Sequence, residues 1–199
     1  MNGNPSNGSF GKPRSFVAID FETADRSLDS ACAVALVKVE NGQITTRNYW
    51  LIRPPREKFR FTHIHGISWK NVADQPTFQE LWPSIVGFIG GATFLAAHNA
   101  DFDRSVLHAC CQAAQVQLPR WRFRCTAKLA RRILKIYPTN LPAVCARLGI
   151  PLNHHDARSD AEACARIMIA GLQRSGRQPR IRRSAVPVIR VVQPQFPGW

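Results

Sequence analysis

Residues 15–21 read SFVAIDF, a run in which almost every side chain is apolar. A strand with one face in water alternates apolar and polar residues, whereas this run offers apolar side chains to both faces. Strands of that kind lie in the middle of sheets that helices cover on both sides. The run therefore predicts a central strand in a sheet between two layers of helices.

The elements that follow this strand occur in an order typical of a mixed sheet. Strands are predicted at residues 31–39 and 44–52, because Asn41-Gly42 between them is a strong signal for a hairpin turn. Beyond a proline-containing loop, helices and strands alternate, which indicates helices packed on the sheet. We expect helices at 78–89, 101–115, 126–136 and 156–172, another between a cap at Thr139 or Asn140 and Gly149, and strands at 93–97 and 122–125. The expected fold class is α/β, with a mixed central sheet flanked by helices.

Composition divides the chain into three parts. Residues 1–14 are mainly Gly, Asn, Ser and Pro and are expected to form a disordered leader. Residues 15–173 form the predicted domain, and residues 174–199 form a basic, proline-containing tail. We interpret the tail as disordered, while its composition also suits gripping nucleic acid or docking on a protein partner.

The chain is strongly basic, with a formal net charge of +14 from 27 Lys and Arg against 13 Asp and Glu. Such a balance favours a polyanionic partner, because Lys and Arg displace counterions from phosphates. No acidic residue falls between Asp103 and Asp156, and none follows Glu162. Each of the few acidic residues is therefore a candidate for chemistry.

The six cysteines show no C-x-x-C spacing, and most lie among apolar residues. We therefore expect reduced thiols and no zinc site. No run approaches the roughly 18 apolar residues of a membrane span, and the N-terminal segment lacks the apolar core of a signal peptide. The sequence predicts a soluble, cytoplasmic protein with no membrane partner.

Asp20 and Glu22 stand two residues apart at the end of the first strand. Because a strand has a period of two, both side chains point to the same face. Neighbouring carboxylates at the end of a buried strand repel each other and are costly to desolvate, unless a cation lies between them. The alternative is a pair of exposed loop acids just beyond the strand.

Asp103 and Asp160 each lie near the start of a predicted helix. Leu107 and Cys110 follow Asp103 at helical spacing, and a similar apolar stripe follows Asp160, so both carboxylates are expected to point inward. Asp101, beside Asp103, is expected to be the N-cap of its helix.

His155 precedes Asp160 by five residues and is placed to reach the same end of the helix. Its neighbour His154 is expected to be a surface or structural residue. Glu162 lies off the face of Asp160 and is expected to be solvated.

Three segments resemble the motifs of the DEDDh (DnaQ-like) 3′→5′ exonucleases: AIDFETAD at 18–25, HNADFD at 98–103 and HHDARSD at 154–160. The motif forms are D-x-E, H-N-x-x-F-D and H-x-A-x-x-D, and each is complete and in order in this chain. The resemblance covers about residues 15–173. It implies a ribonuclease H-like fold and hydrolysis of nucleic acid from the 3′ end.

The resemblance also implies a role for each residue of the motifs. Two Mg²⁺ or Mn²⁺ ions, which prefer oxygen ligands, would be held by Asp20, Glu22, Asp103 and Asp160. The ions would activate water and stabilise the leaving oxygen. His155, whose ordinary pKa is near neutrality, would be the general base.

The resemblance alone implies further residues that would contact the terminal nucleotide of the substrate. The segment HIHG at 63–66 resembles the loop near the 3′ nucleotide, which makes His65 a candidate. The other candidates are Phe21, Thr23, Asn99 and Phe102. Phe102 is equally suited to the core.

The predicted helix at 126–136 has a basic and an apolar face. The basic face consists of Lys128, Arg131, Arg132 and Lys135. The apolar face consists of Leu129, Ile133 and Ile136. The basic face is interpreted either as a track for the phosphates of a nucleic-acid strand or as a solvated surface.

These features favour a metal-dependent exonuclease that releases nucleoside 5′-monophosphates from the 3′ end of DNA, preferably single-stranded, in proofreading or repair. An RNA-trimming exonuclease is the alternative, because contacts to the 2′-hydroxyl cannot be placed on a sequence. A nucleic-acid-binding module with a decayed site would lack catalytic residues, and all five candidates are present.

Overall fold

A mixed five-stranded sheet forms the centre of the computed structural model, which describes residues 15–175. Its strands are β1 (Ser15–Thr23), β2 (Ala31–Glu40), β3 (Gln43–Leu51), β4 (Leu95–Ala97) and β5 (Phe123–Cys125). Their order is β3-β2-β1-β4-β5, with β1, β2 and β3 paired antiparallel and with β4 and β5 added in parallel. The run at residues 15–21 thus forms the central strand, as predicted.

Helices cover both faces of this sheet. They are α1 (Thr62–His65), α2 (Trp69–Val72), α3 (Phe78–Ile89), α4 (Asp101–Ala113), α5 (Thr126–Leu129), α6 (Leu141–Leu148) and α7 (Ala157–Arg174). Asn140 is the N-cap of α6, where its side chain accepts a hydrogen bond from the backbone N–H of Ala143 at 3.0 Å. The short helices α1 and α2 were not predicted from the sequence.

The side chains of β1 alternate between two cores. Val17, Ile19 and Phe21 are buried in the cluster that includes α3 and α4. Phe16 and Ala18 are buried in the other cluster, against α7. The prediction of an α/β sheet covered on both faces is confirmed, and the even-numbered positions of β1 face α7.

The predicted helix at 126–136 is not regular. After the single turn α5, residues Ala130–Leu134 form a π-helical turn, and Lys135 has a left-handed backbone with φ of 59°. A π turn shifts the angular position of every later residue relative to an α-helix. The predicted basic face of Lys128, Arg131, Arg132 and Lys135 is therefore wrong as a single helical face. The apolar face is wrong at Ile133, which is exposed, whereas Ile136 is buried.

The predicted leader at 1–14 and nearly all of the predicted tail lie outside the described residues. Within residues 15–175, every helix is too short or too polar to cross a membrane.

Candidate active site

Asp20 and Glu22 lie inside β1, on the face that α7 covers. Both are partly buried, and the pairing register with β2 shifts just after Glu22. The prediction that both side chains share one face agrees with this placement, and the alternative of exposed loop acids is wrong. β1 therefore delivers two carboxylates to the start of α7.

Asp103 fastens α4 to β1. It is only 2% exposed, and its Oδ1 accepts a hydrogen bond from the backbone N–H of Phe21 at 3.2 Å. The prediction that Asp101 is the N-cap is wrong, because α4 begins at Asp101 and its exposed carboxylate instead binds Lys128 at 2.9 Å. Asp103 alone points to the sheet.

Asp160 lies in the first turn of α7, which Asp156 caps. Its Oδ2 accepts hydrogen bonds from the backbone N–H of His155 at 3.1 Å and from Nδ1 of His154 at 3.0 Å. Its Oδ1 is buried and has no hydrogen-bond partner among the described residues. Of the two expectations for His154, a surface or a structural residue, this contact supports the structural one.

Glu162 lies away from these carboxylates, as predicted, but it is not simply solvated. Its carboxylate accepts hydrogen bonds from Arg47 at 2.8 Å and from Arg166 at 2.6 Å. These arginines lower the pKa of Glu162 to about 2. Glu162 is an ion-pairing residue between β3 and α7.

The four inward-facing carboxylates disfavour one another's ionisation. Burial, followed by the charges of Asp103, Asp160 and Glu22, raises the pKa of Asp20 well above its usual range. Burial and then the charges of Asp160 and Asp103 raise the pKa of Glu22 to about 8. Burial raises the pKa of Asp103 to about 7 and also raises the pKa of Asp160. The cluster thus requires positive charge to be fully ionised at neutral pH.

The donor set fits hard divalent cations. All four side chains offer carboxylate oxygens, the ligands that Mg²⁺ and Mn²⁺ prefer. The unpartnered Oδ1 of Asp160 has a lone pair that a cation would satisfy. His154, His155 and Asp160 also offer possible ligand atoms that lie within 4.8 Å of one another.

The cysteines are free thiols, as predicted.

His155 stands beside the carboxylates in a form that can accept a proton. Partial burial and then the neighbouring His154 lower its pKa, so the imidazole is neutral at neutral pH. Its backbone has a left-handed φ of 69°, and its ring stacks on that of His154 with centroids 3.8 Å apart. A neutral histidine in a strained turn beside four carboxylates is suited to general base chemistry.

Two cavities meet at His155. The first, which we call the β4-side cavity, has a volume of about 520 Å³ and is lined by Asp20, Glu22, Asn99, Phe102, Thr139 and His155, among others. The second, the β3-side cavity, has a volume of about 420 Å³ and is lined by Glu22, Tyr49, His65, Asn71, His155 and Arg158, among others.

The residues assigned to the terminal nucleotide take different positions around these cavities. Phe102 is 40% exposed at the β4-side cavity, so the alternative of a core position is wrong. Asn99 is exposed there beside it. Phe21 borders the same cavity but is buried in the core, and Thr23 is buried and lines neither cavity.

His65 connects the end of α1 to the end of β1. Its Nδ1 accepts a hydrogen bond from the backbone N–H of Ile67 at 3.1 Å, so its Nε2 carries the proton and donates to the carbonyl of Thr23, also at 3.1 Å. Gly66 makes the turn possible, because its φ of 76° lies in the left-handed region that glycine tolerates. His65 thus holds the wall of the β3-side cavity.

Two contributors to the site were not assigned from the sequence. His98 donates from Nε2 to the carbonyl of Thr139 at 2.9 Å, while its Nδ1 contacts the hydroxyl of Thr126 at 2.9 Å. Its place in the HNADFD motif was the available signal. Arg158 lies 5.1 Å above the ring of Tyr49 in the β3-side cavity, a contact between distant segments that no local pattern indicates.

Comparison with known proteins agrees with this geometry. The exonuclease family profile matches residues 17–168. The PolC-type DNA polymerase III of Thermotoga petrophila is 32% identical over 160 residues, which are 77% of this chain and 12% of that protein. This chain thus spans about an eighth of the length of that relative.

Solved structures show the same fold. Exonuclease X in complex with 5′-overhanging duplex DNA is 27% identical, with a TM-score of 0.63 over 81% of this chain and 93% of that one. The nuclease domain of 3′hExo, a DEDDh family member bound to rAMP, is 19% identical, with a TM-score of 0.73 over 87% of this chain and 98% of that one.

The chain belongs to the exonuclease family. The predicted resemblance to DEDDh exonucleases and the ribonuclease H-like fold class are confirmed. The domain is homologous to 3′→5′ exonucleases, which are nucleic-acid hydrolases that depend on divalent metal ions.

Proposed function

We propose that this domain hydrolyses DNA from its 3′ end and releases nucleoside 5′-monophosphates, using two divalent ions, Mg²⁺ or Mn²⁺. The observation that carries the proposal is the group of four inward-facing carboxylates beside a neutral histidine. The ions would be held by Asp20, Glu22, Asp103 and Asp160. When bound, such ions neutralise charge on phosphate oxygens and acidify water.

The protein side chains have separate tasks in this proposal. Asp103 uses one oxygen to accept the Phe21 N–H, and Asp160 uses one to hold His154 and His155, which leaves each an oxygen for a cation. His155 accepts the proton of the attacking water at a ring nitrogen, because its lowered pKa keeps the ring neutral. Asn99 and Phe102, exposed in the β4-side cavity, are suited to contact the terminal nucleotide.

The basic residues near the β4-side cavity are proposed to contact the phosphates of the strand. Arg131, Arg132 and Lys135 are exposed on and after the π turn, which directly follows α5, the helix whose Ala127 lines the cavity. Lys128 is engaged by Asp101 at 2.9 Å and is the weakest of the predicted track residues. A nucleic acid with a 3′ end is thus the proposed partner, with single-stranded DNA favoured.

DNA is favoured over RNA because the relatives that share more residues with this chain are a DNA polymerase and an exonuclease bound to DNA. The RNA-trimming alternative has support from the fold shared with 3′hExo, which was bound to rAMP. Comparing degradation of single-stranded DNA and RNA of one sequence, each labelled at the 5′ end, decides between them. We expect faster shortening of the DNA.

The same assay tests the activity itself. We expect a ladder that shortens from the 3′ end, nucleoside 5′-monophosphates as products, and no cleavage of a strand blocked by an inverted 3′–3′ terminal nucleotide. Internal cleavage, or shortening from the 5′ end, would overturn the proposal.

Asp103→Asn tests the role of the carboxylates. Asparagine can still accept the Phe21 N–H, so the fold is retained, while a charged ligand is removed. We expect activity to disappear and Mn²⁺ affinity, measured by calorimetry, to fall. Asp74→Asn removes the same charge from an exposed position and is the matched control.

A further inference from the structure

Asp160 Oδ2 organises the turn before α7. This oxygen accepts from the backbone N–H of His155 at 3.1 Å and lies 3.0 Å from Nδ1 of His154. Because an ionised carboxylate only accepts hydrogen bonds, Nδ1 of His154 must carry a proton. The two oxygens of Asp160 therefore differ, since Oδ1 is buried and unpartnered among residues 15–175.

The ring of His155 is held by stacking. In the described part of the chain, its hydrogen bond is made by the backbone N–H and none is made by a ring nitrogen. Its ring lies against that of His154, with centroids 3.8 Å apart and planes inclined by 21°. The stack is therefore the contact that restricts how this ring turns toward the carboxylates.

The turn is also fixed at its two ends. The backbone N–H of Asn153 donates to the hydroxyl of Ser159 at 2.7 Å, and the N–H of Asp156 donates to the carbonyl of Asn153 at 3.2 Å. These bonds support the left-handed backbone of His155, whose φ is 69°. His154 is half-exposed, with 39% of its side chain accessible, so it is not needed to fill a core.

We infer that His154 is a positioning residue that fixes the Asp160 carboxylate with its Nδ1–H and orients the His155 ring by stacking. The inference rests on the proposed function, because the two groups it aligns are the proposed metal ligand and general base. His154 itself contacts neither water nor metal in this role.

Three substitutions separate the two interactions. In His154→Asn the amide nitrogen can replace Nδ1 as donor, but the stacking ring is removed. In His154→Phe the ring is kept, but the donor is removed, and His154→Ala removes both. His63→Ala, an exposed histidine of α1, is the matched control.

We expect His154→Ala to lower kcat by about 10–100-fold, the usual effect of removing a partner that orients a ligand. KM and the melting temperature should stay near those of the unsubstituted protein. His154→Asn and His154→Phe should each recover part of kcat. An unchanged kcat in all three variants would overturn the inference, and so would a kcat in His154→Asn and His154→Phe that is no higher than in His154→Ala.

A measurement on the metal-free protein keeps the inference separate from the proposed function. Long-range ¹H–¹⁵N spectra of the imidazoles should show a proton on Nδ1 of His154. A neutral His154 with its proton on Nε2 would overturn the inference even in an active enzyme. Absence of nuclease activity in the unsubstituted protein would instead overturn the proposed function.

Discussion

At the scale of single residues, the site places opposite demands on its side chains. The carboxylates are buried together, which favours their protonated forms, whereas a general base must be neutral to accept a proton. His155 meets this second demand because partial burial and His154 both lower its pKa. Its acceptor nitrogen is therefore free at the pH at which the carboxylates would bind cations.

His155→Ala should lower kcat by about 10²–10⁴-fold, the usual range for loss of a general base. Metal affinity should change little, because His155 is assigned no ligand role. Single-turnover kinetics and Mn²⁺ calorimetry check the two statements. A collapse of metal affinity would show that His155 is a ligand, and His63→Ala controls for the loss of an exposed imidazole.

The metal-free protein should become less stable as the pH rises from about 5 to 8. The pKa of Glu22 is raised in the folded state from 4.5 to about 8, so the folded protein binds this proton more tightly than the unfolded chain does. The resulting stabilisation is complete below pH 4.5 and is lost as the pH rises through 8. Asp20 and Asp103 shift in the same direction.

Thermal melts in chelator at several pH values measure this effect. Glu22→Gln should flatten the dependence of melting temperature on pH, while Glu57→Gln, at an exposed position, should not. Adding Mg²⁺ should raise the melting temperature most at high pH. A wild-type protein whose stability rises from pH 5 to 8 would contradict the prediction.

Individual residues were predicted well where a spacing places them. The period of two along β1 predicted that Asp20 and Glu22 share one face. The helical spacing from Asp103 to Leu107 predicted that Asp103 points inward. The contact of His154 with Asp160 was missed because it spans six residues within one motif segment, across the turn before α7, and such a contact leaves no periodic trace in the sequence. Asp101 was misplaced because its salt bridge to Lys128 competes with capping.

At the scale of elements, α7 packs closely on α5. A Cβ at Gly171 would lie 2.1 Å from Cδ2 of Leu129 and 2.7 Å from its Cγ. Glycine is therefore required for the two helices to approach at this point. The close approach sets the position of α7, whose first turn carries Asp160.

Gly171→Ala should destabilise the protein by about 1–3 kcal/mol, because the Leu129 side chain must move out of its packed position. Leu129→Ala removes the obstructing atoms. The loss of unfolding free energy in the double variant should therefore be smaller, by about 0.5–3 kcal/mol, than the sum of the losses in the two single variants. Chemical denaturation of the four proteins checks this. Additive effects would mean that the two positions do not interact.

The π turn explains why one element was mispredicted. Ala130 and Ile136 are both buried in the cluster that contains Ile167 of α7. In a regular α-helix, residues six apart differ by about 240° in direction, so they cannot both face one partner. The local sequence at 126–136 is helix-forming throughout, and only the packing against α7 reveals the change.

Arg131 and Arg132 on the π turn are predicted to contact phosphates. Replacing both with Gln should weaken binding to a long single strand and reduce the slope of log affinity against log salt by about 0.7 for each phosphate that is no longer neutralised. Cleavage of a dinucleotide should be nearly unchanged. The control is the pair Arg47→Gln and Arg166→Gln, which removes the same charge where Glu162 already engages it. An unchanged slope would indicate a solvated surface.

At the scale of the whole molecule, charge is distributed along the chain as two regions. The acidic residues all lie at or before Glu162, while residues 176–199 contain five arginines and no acid. The formal net charge of +14 corresponds to two stretches without acidic residues: residues 104–155, with nine Lys and Arg, and residues 176–199, with five Arg. Such a distribution favours association with a nucleic acid, because the basic stretches attract its phosphates. In the proposed function, the 3′ end of that strand enters the carboxylate cluster with its bound cations.

Ending the chain at Ser175 should lower the salt dependence of binding to long single-stranded DNA if the tail arginines contact phosphates. Turnover of a dinucleotide should stay the same. Fluorescence anisotropy at several salt concentrations, with a variant in which the five arginines become Gln, separates charge from length. A tail that docks only on a protein partner would leave the slope unchanged.

The overall architecture was predictable because two features of the sequence pattern determine it. A doubly apolar strand and a series of alternating helices and strands define a covered mixed sheet. The segment between β3 and α3 was not predictable in this way, because α1 and α2 are single turns whose positions depend on contacts such as that of His65 with Thr23.

The alternation of β1 has a consequence for length variation in this chain. Asp20 pairs with Ala35 across the sheet, while Ile19 and Phe21 enter the opposite core. If one residue between Ser15 and Ile19 were deleted, Asp20 and Glu22 could keep their face of the sheet. Every residue before the deletion would then turn to the opposite face. Deleting Phe21 would put the two acids on opposite faces of the sheet. Gene variants that gain or lose one codon should therefore be tolerated in the loop at 53–61 far more often than anywhere within β1.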